Sequence, residues 1–322
     1  MRFSAAVWVL ALAALLPLVA GAAPMSPDLS TVTDGKSWKV FHATPERMQK
    51  DGKPAVRLTA AGDSANGIVG LVLPNALTFS TGTIEVDLKG KNVRQRSFLG
   101  VAFNVVDEKT FEAVYFRPFN FRAEEPFRNR AVQYISWPGN TWENLRKGKP
   151  GEFEKPVTPV PDPDGWFHAR VEVRPKQVRV FVNDAKEPSL VVERLSAGGV
   201  ERPFGLFVDS ADGEYANLVV TPSALFAAEI KTGPAWDASR KPQDQSYFRE
   251  HSANLKRLRD EGSLVMGARY SDKGLVVLSA ASQSEARAMM QQDPAIQNQV
   301  FAYELYPFNV FYSPRSPLER AP

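Results

Sequence analysis

From Trp38 to Thr221 apolar and polar residues alternate with a period of two, and Gly, Pro, Asn and Asp interrupt the alternation at short intervals. Repeated half-buried strands closed by turns produce that pattern, so it predicts an all-β sandwich. Strands are expected at Ala55–Thr59, Gly67–Leu73, Thr83–Lys89, Phe98–Asn104, Ala113–Pro118, Ala131–Trp137, Trp166–Arg174, Gln177–Val182, Phe204–Val208 and Tyr215–Thr221, with no helix between them. Lys147–Gly165 is rich in Pro and Gly and has little apolar periodicity, which predicts a long surface loop.

After Pro222 the period changes. Ala224–Lys231 reads as a strand, Gln245–Glu261 as a helix, Leu264–Arg269 and Gly274–Ala280 as strands, Ser282–Gln292 as a helix, and Phe301–Tyr312 as one or two closing strands. This βαββαβ order predicts a ferredoxin-like α+β unit. In the first helix His251, Leu255 and Leu258 share one face while Lys256, Arg257 and Arg259 point away, and Gly262 supplies the stop. In the second, Ser282 and Glu285 have capping-box spacing and Pro294 ends the apolar stripe of Ala286, Met289 and Met290. The fold class is therefore multi-domain, an all-β jelly-roll sandwich over 35–222 followed by an α+β domain over 223–314.

The first 22 residues are set apart from both units. Arg2, an apolar run from Ala5 to Ala20 and the small residues Ala20-Gly21-Ala22 form a signal-peptide pattern, too short to favour a membrane span. Export to the periplasm or beyond is expected, with no membrane attachment after cleavage. Cysteine is absent, which excludes disulfides, thiolate chemistry and a lipidated cysteine anchor. The formal net charge is +3 over the whole chain and one less without Arg2; with no long basic run, nucleic acid is not expected as a partner.

Two resemblances add to this reading. The stretches KPAVRLTA, GTIEVDLKG, FLGVAFNVVDEKTFEAVYFRP, DGWFHARVEVRPKQVRVFVND and RPFGLFVDSADGEYANLVVTP resemble, in their order of strands and turns, the concanavalin A-like lectin/glucanase jelly roll, in particular its laminin-G-like and 3-keto-disaccharide hydrolase-type branches. The segment from Arg249 to Tyr312 resembles the YCII-related family through His251 at the helix start, Leu255 and Leu258, Asp260-Glu261-Gly262, and Asp293-Pro294. The second resemblance implies a dimeric α+β barrel, hence a homodimer through the C-terminal domain, and makes His251 and Asp293 the matching positions for that family's His-Asp site. Lys273-Gly274 stands where relatives carry a longer Gly-rich insertion before a serine, which argues against a serine-assisted mechanism here.

Candidate chemistry lies in both units. A carboxylate beside an imidazole fixes its tautomer and makes the other nitrogen a usable base, so His251 and Asp293 are the catalytic candidates; a core histidine satisfied by Asp293 is the competing reading. In the sandwich, Tyr115, Arg117, Asn120, Arg122, Tyr134, Trp137, Asn140 and Trp142, with the neighbouring Arg128, Arg130 and Glu143, combine rings that can stack on sugar C–H faces with planar polar groups that reach hydroxyls, and the arginines lean toward anionic or oxidised sugars. The competing reading is an ordinary solvated sheet face.

Glu85 and Asp87 share a strand face as glucanase acids do, but the next same-face residue is Lys89. Asp209 and Asn217 are too few for a calcium site. No metal or phosphate motif occurs and no cofactor is expected. The favoured function is an exported carbohydrate-binding protein with a dimerisation domain. The alternatives are an isomerase- or lyase-like enzyme using His251 and Asp293, and glycoside hydrolase-type activity of the sandwich.

Overall fold

The computed structural model describes residues 23–62, 65, 67–196 and 200–310. The leader read at residues 1–22 lies outside them, as do Phe311 and Tyr312 of the expected closing strand.

The first unit runs β1 Trp38–Phe41, β2 Ala43–Lys50, β3 Lys53–Ala60, β4 Gly70–Pro74, β5 Gly82–Lys89, β6 Phe98–Asp107, β7 Thr110–Phe116, β8 Val132–Trp137, α1 Trp142–Gly148, β9 Glu154–Lys155, β10 Phe167–Val173, β11 Gln177–Val182, β12 Leu190–Glu193, β13 Gly205–Asp209 and β14 Asp212–Pro222. These form two seven-stranded sheets, ordered β1-β4-β13-β6-β7-β8-β9 and β12-β11-β10-β5-β14-β3-β2. All their pairings are antiparallel, as a jelly-roll sandwich requires. The apolar residues of alternate positions, such as Ile84, Val86 and Leu88 of β5, meet Val114, Phe116 and Phe167 in one continuous core.

Two expectations change. Trp142–Gly148 is a helix inside the segment read as helix-free, with Thr141 accepting from the Asn144 amide at its N-terminus. The segment 147–165 is no free surface loop, because Phe153, Glu154 and Val157 are buried and β9 pairs with β8. Its buried apolar residues, Phe153 and Val157 among them, are too sparsely spaced to make a period, and Val160 is exposed.

The second unit comprises β15 Ala224–Thr232, α2 Phe248–Glu261, β16 Leu264–Tyr270, β17 Lys273–Ala280, α3 Gln283–Gln291, the short α4 Pro294–Gln297 and β18 Phe301–Pro307. The sheet order β16-β17-β15-β18 is that of a ferredoxin-like fold. Phe226, Ala228 and Ile230 of β15 pack under the helices with Leu258, Ala286 and Met290. Helix α2 starts at Phe248, three residues later than read, because the Gln245 side chain staples the preceding turn through Asp237 and Arg240. Ser282 caps α3 by accepting from the Glu285 amide, while the Glu285 carboxylate reaches back one residue beyond the cap, to the Ala281 N–H.

A single residue, Ser223, joins the units, and its amide donates to the Thr81 carbonyl of the sandwich. Arg174, just after β10, crosses to the second unit and donates to Glu261 at 2.9 Å and to Ser263 at 3.1 Å. Between those partners Gly262 closes α2 with φ +82° and lies where a Cβ would meet Pro175 at 3.0 Å, so glycine serves both the left-handed cap and the close approach of the units.

Candidate functional site

Strand β7 sends Phe116 into the sandwich core and Tyr115 to the opposite face, where its ring stacks on Phe207. Arg117 follows on that same side and is 5% exposed. Its Nη2 donates to Tyr115 Oη at 2.8 Å and to Gln133 Oε1 at 2.6 Å, and its Nη1 donates to the Arg130 carbonyl at 2.9 Å. Asn120 Nδ2 donates to that carbonyl too, at 3.2 Å, so these two side chains tie the 118–130 loop down over the strand end. Burial pushes the Tyr115 phenol up to about 12, and it stays a neutral hydroxyl.

Above this floor lies an open cavity of about 340 Å³. Tyr115, Arg117, Asn120 and Trp142 line it, with Arg94, Phe98, Phe119, Phe127, Arg130 and Arg146 completing its walls. Helix α1 supplies one wall because Trp142 and Arg146 are four residues apart on one side, with the guanidinium 4.7 Å from the indole centroid. The cavity size falls in the range of small-molecule sites, and aromatic faces beside fixed polar donors are the usual composition of such sites.

The other four expected ligand-binding residues do not line this cavity. Tyr134 is fully buried on the core side of β8, where its hydroxyl donates to Glu112 at 2.5 Å and accepts from the Leu195 amide. Trp137 packs at a tilt against Phe111, ring centroids 5.3 Å apart, with its indole nitrogen buried, and Asn140 closes a turn on Ser136. Arg122 is exposed on the surface. The residues that sequence reasoning missed, Arg94, Phe98, Phe119, Phe127 and Arg146, come from separate segments; the only local signal was the charged loop Lys91 to Arg96 before a strand.

In the second unit His251 Nδ1 lies 2.7 Å from Asp293 Oδ2. Asp293 is fully buried; Asn254 donates to the same oxygen at 3.1 Å, and the Ala295 amide donates to Oδ1 at 3.0 Å. Asp293 lies beyond the end of α3 as the N-cap of α4, so one oxygen serves the helix and the other the imidazole. Burial alone would raise its carboxyl, but the hydrogen bonds from His251 and Asn254 overcome this and hold it below the usual carboxylate range. An ionised aspartate accepts only, which puts a proton on Nδ1. The imidazole also borders a mostly apolar cavity of about 600 Å³, walled in part by Trp236, Phe248, Leu255 and Phe301, with its ring centroid 4.9 Å from that of Phe301.

A third cluster lies on the outer face of the second sheet. His168 Nδ1 is 2.8 Å from Asp87 and Nε2 is 3.5 Å from Glu85, while Lys50 and Asn217 donate to the other Asp87 oxygen at 3.0 and 2.7 Å. The hydrogen bonds that His168 donates to Asp87, then to Glu85, raise its pKa to about 9, and His168 in turn lowers both carboxyls. Both acids are then held as carboxylates beside a His168 ring that keeps its proton. Asp209 lies on β13 in the other sheet, so the two calcium candidates are not brought together. Among the described residues no group of three or more potential metal ligands occurs.

The raised His168 pKa makes a testable statement about stability. Its contribution is fully present below about pH 6.5, the unfolded value, and is lost as pH rises through about 9. With the ring one-third exposed, about 1 kcal/mol is expected after solvent screening. Denaturation series between pH 6 and pH 10 should show that loss in the native protein and not in His168→Gln.

Fold and sites together define a two-domain protein, a β-sandwich followed by a ferredoxin-like unit. Residues 224–309 match the family model of the YCII-related domain, so the second unit is a YCII-related domain. No curated protein matches the chain in sequence. Among solved structures, the carbohydrate binding module CBM66 from Bacillus subtilis is 14% identical, with 57% of this chain and 95% of that one covered and a TM-score of 0.39. A protein of unknown function with a galectin-like fold from Bacillus subtilis is 13% identical, covering 63% and 98%, with a TM-score of 0.41. A beta-1,3-glucanase from Mycobacterium marinum is 13% identical, covering 61% and 97%, with a TM-score of 0.37.

Proposed function

We propose that this is an exported carbohydrate-binding protein that takes a saccharide in the sandwich cavity and pairs two copies through its YCII-related domain. The cavity carries the reading: four ring side chains and Tyr115 surround guanidinium and amide donors whose positions are fixed from below by Gln133 and the Arg130 carbonyl. Rings cover the apolar C–H face of a pyranose, and planar donors discriminate its hydroxyls. Export is supported by the leader pattern at the N-terminus.

Pairing of copies is supported by the sheet face opposite α2 and α3. Met266 of β16 stands opposite Val277, and Tyr306 of β18 opposite Ala227, both on the side away from those helices, with 41% and 48% exposure. Joining two sandwiches would raise avidity for a polymeric glycan without a new contact.

Isothermal titration against a panel of oligosaccharides tests the binding reading. Trp142→Ala is expected to weaken binding about 10-fold or more, the loss of about 1.4 kcal/mol or more that truncating a binding hot spot costs. Unchanged affinity in that variant, or no binding by the native protein, would remove the cavity as the site.

A second reading is favoured by the His251–Asp293 contact beside the 600 Å³ apolar cavity. It makes the YCII-related domain an enzyme of proton transfer, isomerase- or lyase-like, with His251 Nε2 as the base and Asp293 orienting it.

A further inference from the structure

Resting on the saccharide reading of the sandwich cavity, we propose that its ligand is acidic: a uronic-acid residue whose carboxylate is taken by the guanidiniums of Arg94 and Arg130. Four arginines line this cavity, and among the described residues no Asp or Glu does. Below them Glu154 is 7% exposed and already committed. Arg146 holds it with two hydrogen bonds of 2.9 and 2.6 Å, leaving Arg117 at 3.8 Å and Arg130 at 3.6 Å. Glu154 is therefore shared by three guanidiniums, and Asp209, buried on β13 beside the cavity residue Ser210, is the other carboxylate close enough to act on the Tyr115 phenol.

The residual positive charge is concentrated at one place. Arg130 comes within 3.6 Å of Glu154 through Nε, and its guanidinium donates no hydrogen bond to an acceptor among the described residues. Arg94 has no ion-pair partner among them either. Both guanidiniums flank the Phe127 ring, at 4.4 Å for Arg94 and 5.8 Å for Arg130. Beside Arg94, Gln95 is held at φ +59°, a left-handed conformation that a non-glycine residue adopts at a cost. The Gln133 Nε2 beneath the floor is buried without a partner, so donors exceed acceptors there as well.

Neutral hydroxyls do not call for this arrangement. They are served by a mixture of donors and acceptors, whereas here every charged lining group is a cation. A planar carboxylate on a sugar ring matches it, since guanidinium and carboxylate pair through two parallel hydrogen bonds while the pyranose lies against Phe127 and Trp142. Partial burial keeps the pairing stronger than at an open surface.

The test uses the full chain and measures affinity by calorimetry for oligosaccharides of polygalacturonate, alginate and hyaluronan. Their carboxyl-reduced counterparts and a sulfated galactan oligosaccharide serve as comparisons. At least one oligouronide is expected to bind about 10-fold or more tightly than its reduced form, with the preference falling as salt rises. Arg94→Gln/Arg130→Gln should abolish the preference while leaving the melting temperature in place. Equal affinity for charged and reduced forms, a preference that survives in the double variant, or tighter binding of the sulfated glycan would overturn the carboxylate assignment and leave saccharide binding standing. If no saccharide of any kind binds, the saccharide reading itself fails, and this assignment with it.

Discussion

Arg194→Met is expected to lower the stability of the sandwich by about 3–5 kcal/mol, because it strands a carboxylate in the core. Glu112 of β7 is fully buried on the core side and receives Arg194 through Nε at 3.0 Å and Nη2 at 2.9 Å. Tyr134, Asn104 and Ser196 complete its hydrogen bonds. With the guanidinium removed, the remaining neutral donors do not offset the desolvated charge. Replacing both partners, Glu112→Leu with Arg194→Met, is expected to recover most of the loss, since two apolar groups leave nothing unpaired. Chemical denaturation followed by near-ultraviolet circular dichroism of the sandwich tyrosines and tryptophans measures both. A single variant as stable as the native protein would contradict this account of the network.

Asp293→Ala is expected to cost the second domain about 2–4 kcal/mol. The change removes the α4 cap from the Ala295 amide and leaves the buried His251 Nδ1 and Asn254 Nδ2 without their acceptor. Asp293→Asn keeps one carbonyl oxygen and should retain part of that stability, while no longer dictating which imidazole nitrogen carries the proton. Nitrogen-15 spectra of the His251 ring separate the two effects: a protonated Nδ1 in the native protein and a mixed tautomer in Asp293→Asn are expected. The same tautomer in both would mean that Asp293 serves the helix and not the imidazole.

Much of the fold was legible because burial on one side leaves a period in the chain. The strand at Gln177–Val182 has the same bounds in sequence and structure, and the expected pair at Ser282 and Glu285 does cap its helix. Part of what escaped notice had no such period, although β12 at Leu190–Glu193 alternates and was missed as well. Strands β1 and β2 are largely exposed, and only Leu145 of α1 is buried, so neither shows an apolar face to read.

The site was legible in part, for a different reason. Strands β7 and β8 are covered on both faces, every residue of β8 being buried, so alternation does not tell core side from ligand side. Tyr115 and Tyr134 therefore looked equivalent, although one floors the cavity and the other satisfies Glu112. Arg94, Phe127 and Arg146 are brought together only by the fold, whereas His251 and Asp293 were found because a helix face and a proline-bounded cap fix them locally.

Backbone hydrogen exchange of the full chain, with and without a bound oligosaccharide, tests most directly that the sandwich cavity is the binding site. Added protection is predicted at residues 94–98, 115–130 and 142–146, with the outer face around His168 and the cavity beside His251 unchanged. Protection confined to either of those other two places would contradict it.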